Sequence, residues 1–139
     1  MDLEDYKGYL DLFNSKDYDA VLEHFTDDCE VVFAGYGFRG KEAVRNFYSF
    51  FHSYTKETIL LQRFLPSESF IALEAVVRLE GIKDASQDIF AERGLGRLFA
   101  LAKGQVIEVP QFIHYHMENG KFKKALCAIF EPPVDIITN

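Results

Sequence analysis

The sequence predicts an α+β fold: three N-terminal helices packed against a strongly bent antiparallel sheet. Three observations carry this. Apolar residues recur at helical spacing up to Tyr54, and from Lys56 onward their period changes to two. Two long strand pairs then follow, one turning around Pro66–Ser67 and one with Glu118–Asn119–Gly120 at its tip.

Leu3–Ser15 places Tyr6, Tyr9, Leu10 and Phe13 at spacings of three and four, the stripe of an amphipathic helix. "SKDYDAVLEHF" opens a shorter helix with Asp17 as N-cap and Ala20, Val21, His24 and Phe25 as its stripe. "CEVVFA" is a short strand over Glu30–Ala34, and "GYGFRG" reads as a turn-rich loop. The third helix, Lys41–Tyr54, faces Ala43, Val44, Phe47, Tyr48 and Phe51 inward and leaves His52 off the stripe, at the surface. "KETILLQRFL" and "SFIALEAVVRLEG" are consecutive strands; "GQVIEVPQFIHYHMENGKFKKALCAIFE" is a long hairpin. Between them, at about 82–104, lies "IKDASQDIFAERGLGRLFALAK", too long for a tight turn and partly helical. It reads as a lid-like insertion in a single domain spanning 1–139.

Composition narrows the function. The chain has 139 residues, 48% of them hydrophobic with 14 Phe and 7 Tyr, enough for one buried core. A net charge of −7 excludes a nucleic-acid partner, which requires a basic face. Cys29 and Cys127 form no CxxC and no signal peptide is evident, so a reduced, cytoplasmic setting is expected. No apolar run reaches the ~18 residues of a membrane span. Too few ligands are grouped for a metal site, and no cofactor is expected.

Alternation sorts the strands into two faces. One carries Ile71, Leu73, Ala75, Val77 and Leu79, with Ile107, Val109, Gln111, Ile113, Tyr115 and Met117 on the next strand and Ala125, Cys127 and Ile129 on the last. This face should cover the helices and line a pocket, and the small Ala75, Ala125 and Cys127 leave room for a ligand. The opposite face sets Glu74, Arg78, Glu108, His114, His116 and Lys124 among Ala72, Val76, Phe112, Leu126, Ala128 and Phe130. That face is too apolar for plain surface, and His114 and His116 belong to it.

"F-T-D-D" before the first strand, "G-K-E-A-V-R-N-F-Y" after it and "ENGKF" in the last hairpin resemble the cone-shaped nuclear-transport-factor-2-like superfamily. Its enzymes include ketosteroid isomerase, scytalone dehydratase, limonene epoxide hydrolase and the SnoaL-like polyketide cyclases. The resemblance covers the chain except Ile82–Lys103. It implies a conical pocket and a homodimer joined back-to-back through the outer sheet face. Carried over residue by residue, the oxyanion-hole tyrosine of ketosteroid isomerase falls on Tyr9 and a supporting tyrosine on Tyr48. The catalytic base falls on Phe33 and the second acid at or next to Ile113, so both carboxylates are missing. Isomerisation of a steroid by that mechanism is excluded.

The candidate site residues are the polar groups on the inner faces. Gln111 interrupts an apolar face and needs a partner, in the protein or in a ligand. His24 is the best placed general acid/base; the alternative is a helix-end histidine bonded to a carbonyl. Tyr9 and Tyr48 form either a hydrogen-bonded pair that donates to a ligand carbonyl or core with satisfied hydroxyls. Cys127 lacks an evident base and reads as inert packing. Asp84, Asp88 or Glu92 of the insertion either reaches the pocket or belongs to a solvated lid.

The expected function is a cofactor-independent isomerase, cyclase or dehydratase acting on an apolar carbonyl- or enol-bearing molecule such as a terpenoid, polyketide or steroid. Tyr9 and His24 would be catalytic. Tyr48, Gln111, Phe33, Ile71, Leu73, Ala75, Ile113, Ala125, Cys127 and Ile129 would bind substrate. The alternatives are a non-catalytic binding protein with the same pocket, motivated by the missing carboxylates, and a dimeric interaction module whose cone is filled by aromatic side chains.

Overall fold

A computed structural model of the chain describes residues 1–137. Helix α1 (Leu3–Asn14) starts at Asp2, whose side chain accepts from the Asp5 amide while Asp5 reciprocates, closing a capping box. It buries the stripe Tyr6, Tyr9, Leu10 and Phe13. Helix α2 (Tyr18–Glu23) is capped by Asp17. Strand β1 (Phe25–Phe33) starts well before the expected Glu30, and "GYGFRG" is no loop but carries a second strand, β2 (Tyr36–Arg39). The two are joined at Ala34 and Gly35, both in the left-handed region at φ 53° and 80°.

Helix α3 (Lys41–Phe51) ends three residues earlier than its period suggested. His52 is therefore its C-cap, and it is 4% exposed instead of at the surface. The helical wheel had been continued past the point where the helix stops, and the ring turns inward instead. Four long strands complete the cone: β3 (Thr55–Pro66), β4 (Phe70–Gly81), β5 (Val106–Glu118) and β6 (Lys121–Ile129), with a short β7 (Val134–Ile136) beside β5. The sheet order is β2-β1-β6-β5-β4-β3.

The sheet is mixed, not antiparallel throughout, because β1 runs parallel to β6. No hairpin joins these two strands; two helices and four strands separate them in the chain, which frees their relative direction. Register shifts at Leu61/Arg63 and His116/Met117 mark the irregularities that let so long a sheet bend. The inner face of β4, from Ile71 to Leu79, is buried at every second residue, and its outer face is half-exposed.

The 82–104 segment folds back over the wide end of the cone, with a short helix α4 (Gln87–Glu92) capped by Ser86. Phe90 is fully buried against Phe50, Phe51 and Tyr54. The two legs of the insertion close on Gly81: its N–H donates to the Gln105 carbonyl at 2.9 Å and its carbonyl accepts from Gly104 at 2.7 Å. At the far end Arg97 ties the insertion to the β1–β2 turn. Its Nε donates to the Ala34 carbonyl at 3.0 Å, its backbone N–H donates to the Tyr36 hydroxyl at 3.0 Å, and its guanidinium lies 4.3 Å from the Tyr36 ring centre.

Candidate active site

A cavity of about 40 Å³ occupies the cone between the helices, the sheet and the insertion. Its walls are aromatic: Phe13, Phe25, Phe33, Phe47, Phe51 and Phe99, with the tyrosines Tyr9, Tyr48 and Tyr115. Ile59, Val77, Leu79, Leu98, Ile113, Ala125 and Cys127 fill the remainder, and Gln111 and Glu57 supply the other polar groups. No lysine or arginine among the described residues lines it. At this size the space holds a few waters.

Tyr9, Tyr48, Gln111, Phe33, Ile113, Ala125 and Cys127 meet in this cavity, brought from α1, α3, β5, β1 and β6. Ile71, Leu73 and Ala75 are buried but do not line it. The parity was right and the depth wrong: the cavity lies farther along β4, at Val77 and Leu79. Ile129, the last residue of β6, is 39% exposed.

His24 is not among the lining residues either. It is the C-cap of α2, and its Nδ1 donates to the Ala20 carbonyl at 3.0 Å, which is the helix-end arrangement weighed above. Its ring lies against Tyr9, centroids 5.4 Å apart. None of Asp84, Asp88 and Glu92 reaches the cavity; Asp84 instead accepts from the Lys103 amide at 2.8 Å.

The acid in the cavity is Glu57, which the reading of the sequence passed over. It stands on β3 in register with Leu79, so its side chain shares the inner face. The signal was present in "KETILLQRFL", where Glu57 has the same parity as the buried Thr55 and Ile59. Its Oε1 accepts from His52 Nε2 at 2.8 Å, while Oε2 has no partner among the described residues. The His52 Nδ1 lies 2.7 Å from the Tyr18 hydroxyl. The imidazole lies near-parallel to the rings of Tyr18 and Tyr48, with Phe13 edge-on to it.

The remaining polar groups are unspent. The expected Tyr9–Tyr48 hydrogen bond is absent; the bonded pair is Tyr6 and Tyr115, oxygen to oxygen 2.7 Å. Thr55 carries the one sealed, unpaired side-chain oxygen among the described residues. The hydroxyls of Tyr9 and Tyr48 and the amide of Gln111 make no side-chain hydrogen bond there, so they keep their access to the cavity. Burial first, and the Glu57 charge among the lesser causes, holds the Tyr9 and Tyr48 phenols well above their ordinary range. Both therefore stay O–H donors at neutral pH. Burial, then Glu57, pushes the Cys127 thiol up to about 12, which makes it a poor nucleophile.

No group of three or more His, Cys, Asp or Glu among the described residues is placed to hold a metal ion. No helix among them is long and apolar enough to cross a membrane.

The family model of the SnoaL-like domain matches residues 6–125. No curated protein is similar in sequence. Among solved structures, an NTF2-like protein of unknown function from Burkholderia pseudomallei superposes with a TM-score of 0.70 at 12% identity, covering 91% of this chain and 88% of that one. A SnoaL-like polyketide cyclase from Agrobacterium tumefaciens gives 0.67 at 14% identity, over 89% and 87%. A LEH-like epoxide hydrolase from M. tuberculosis gives 0.66 at 10% identity, over 89% and 78%. At these identities the structures establish a shared fold.

Proposed function

The chain belongs to the SnoaL-like domain family, and from that premise we propose that it is a cofactor-independent isomerase, cyclase or dehydratase. Its substrate is a neutral, apolar molecule bearing a carbonyl or enol, of the terpenoid, polyketide or steroid kind. One observation carries this reading: a single carboxylate, Glu57, with one oxygen held by His52 and the other without a partner among the described residues, stands in a largely apolar cavity.

Each remaining group has a role that follows from its chemistry. The free oxygen of Glu57 takes a proton from the carbon beside the substrate carbonyl, and can return it elsewhere. The Tyr9 and Tyr48 hydroxyls, unpaired and non-ionised, donate to the oxygen on which negative charge develops. Gln111 pairs with a second polar group and orients the molecule. The absence of a lysine or arginine from the wall favours a neutral substrate, and the cyclase and hydrolase neighbours support small-molecule chemistry in this fold. Glu57 takes the proton-transfer role that the sequence had offered to His24.

The test is turnover. Incubated with a mixed terpenoid and polyketide extract and followed by chromatography and mass spectrometry, the protein should deplete one compound and yield an isomer or a dehydrated product. Glu57→Gln should then lose about 10²–10⁴-fold in kcat, while His24→Ala should retain most of it. A fully active Glu57→Gln would sink the assignment. A second reading, a binding protein, is favoured by Phe33 and Ile113 standing where ketosteroid isomerase keeps its acids; an apolar compound retained unchanged would select it.

We also propose that a second copy covers the outer face of the sheet. Phe112 and Phe130 stack there with centroids 4.1 Å apart, and each is 40% exposed.

A further inference from the structure

We propose that Tyr18, which lies outside the cavity, is a positioning residue: its hydroxyl donates to His52 Nδ1 and locks the imidazole in the neutral form protonated at Nε2. The inference rests on the reading of Glu57 as the site's acid/base, and extends it to a residue that touches no substrate.

The argument is one of proton placement. Either atom of the 2.7 Å contact between the Tyr18 oxygen and Nδ1 can be the donor in principle. If His52 carried a proton on Nδ1, the Tyr18 hydroxyl would have to send its own hydrogen elsewhere. Within the protein the one other acceptor in its reach is the Tyr48 carbonyl, at 3.5 Å, and that oxygen already accepts from the His52 amide at 2.8 Å. A 3.5 Å contact is a poor hydrogen bond, whereas 2.7 Å is a strong one. The shorter contact is the one that takes the phenolic hydrogen, so it lies on the line to Nδ1, whose lone pair accepts it. The ring then has one N–H, on Nε2, and it points at Glu57 Oε1 at 2.8 Å.

The consequences reach the cavity. A neutral imidazole donating one hydrogen bond orients the carboxylate without placing a full positive charge beside it. The His52 side chain is 2% exposed and packed among rings, so its two nitrogens meet only these protein partners. The groups facing His52 are Glu57 at Nε2, Tyr18 at Nδ1, and the ring of Tyr48, with Phe13 edge-on. Tyr18 itself is only partly buried, so the arrangement is set from the protein's rim.

The experiment is a long-range proton–nitrogen NMR correlation on the full, ¹⁵N-labelled chain at neutral pH, with His52 assigned by its loss in His52→Gln. The expected spectrum shows a pyrrole-type Nε2 and a pyridine-type Nδ1. In Tyr18→Phe, which keeps the ring and its stack, the His52 nitrogens should move toward a mixture of tautomers or toward the imidazolium. An imidazolium or an Nδ1–H tautomer in the unaltered protein would overturn the proposal, as would a Tyr18→Phe spectrum identical to it. The unaltered protein decides the first point even if a variant fails to fold. Because the readout needs no substrate, it is independent of whether Glu57→Gln abolishes turnover. That comparison separates a failure of this inference from a failure of the proposed function.

Discussion

Single side chains in this protein are legible through what they lack. Tyr6 is fully buried, and its hydroxyl has the Tyr115 hydroxyl as its partner. Removing one member strands the other, because a buried hydroxyl has already given up its water. Tyr115→Phe should therefore cost about 1–3 kcal/mol in urea unfolding. Adding Tyr6→Phe should recover most of that loss, since both polar groups are then gone. A double variant that is simply the sum of two losses would show that the pair is not the issue. The same accounting leaves Tyr9, Tyr48 and Gln111 without a side-chain hydrogen bond among the described residues, while His24 is bonded to Ala20.

At the scale of elements, the insertion contributes Leu98 and Phe99 to the cavity wall. It is closed at its base by Gly81, where an added Cβ would lie 2.1 Å from the Ala102 carbonyl oxygen. Both sides of that contact are backbone, so neither can give way cheaply. Gly81→Ala should destabilise the protein by about 1–3 kcal/mol. Hydrogen exchange should also rise across 82–105 before it rises in the middle of β4 and β5. Equal protection of the insertion in both proteins would show that this closure is not what holds it down. The tie between Arg97 and Tyr36 secures the other end, and between them Leu98 and Phe99 are pressed onto the cavity.

For the whole molecule, two predictions follow from its burial and its surface. Cys127, Tyr9, Tyr48 and Tyr115 are held protonated beyond their ordinary values of 9.0 for the thiol and 10.0 for the phenols, chiefly by burial. The unfolded chain releases these protons first as the pH rises, so above pH 9 the native state binds more protons than the unfolded one. Stability is then fully present below about pH 9 and falls toward pH 12. The urea midpoint should drop between pH ~7 and ~10.5; a constant midpoint would contradict the burial of these groups. The outer face makes the second prediction. Sedimentation should show a dimer, and Phe112→Asp a monomer that keeps its fold; a monomeric parent protein would remove the second copy from that face.

The sequence by itself determined the α+β class, the three helices, the long strands and the inner face of β4 and β5, because periods of 3.6 and 2 are local properties of the backbone. It also named seven residues that meet in the cavity. It did not reveal that β1 lies parallel to β6, nor how far along β4 the cavity sits, nor that His52 points inward. Each of these depends on where an element stops or which distant strand it joins. The tertiary structure alone decided the identity of the acid: Glu57 has the right parity on its strand, but only its register with Leu79 and the inward turn of His52 after Phe51 bring a carboxylate and its hydrogen-bond donor together inside an aromatic wall.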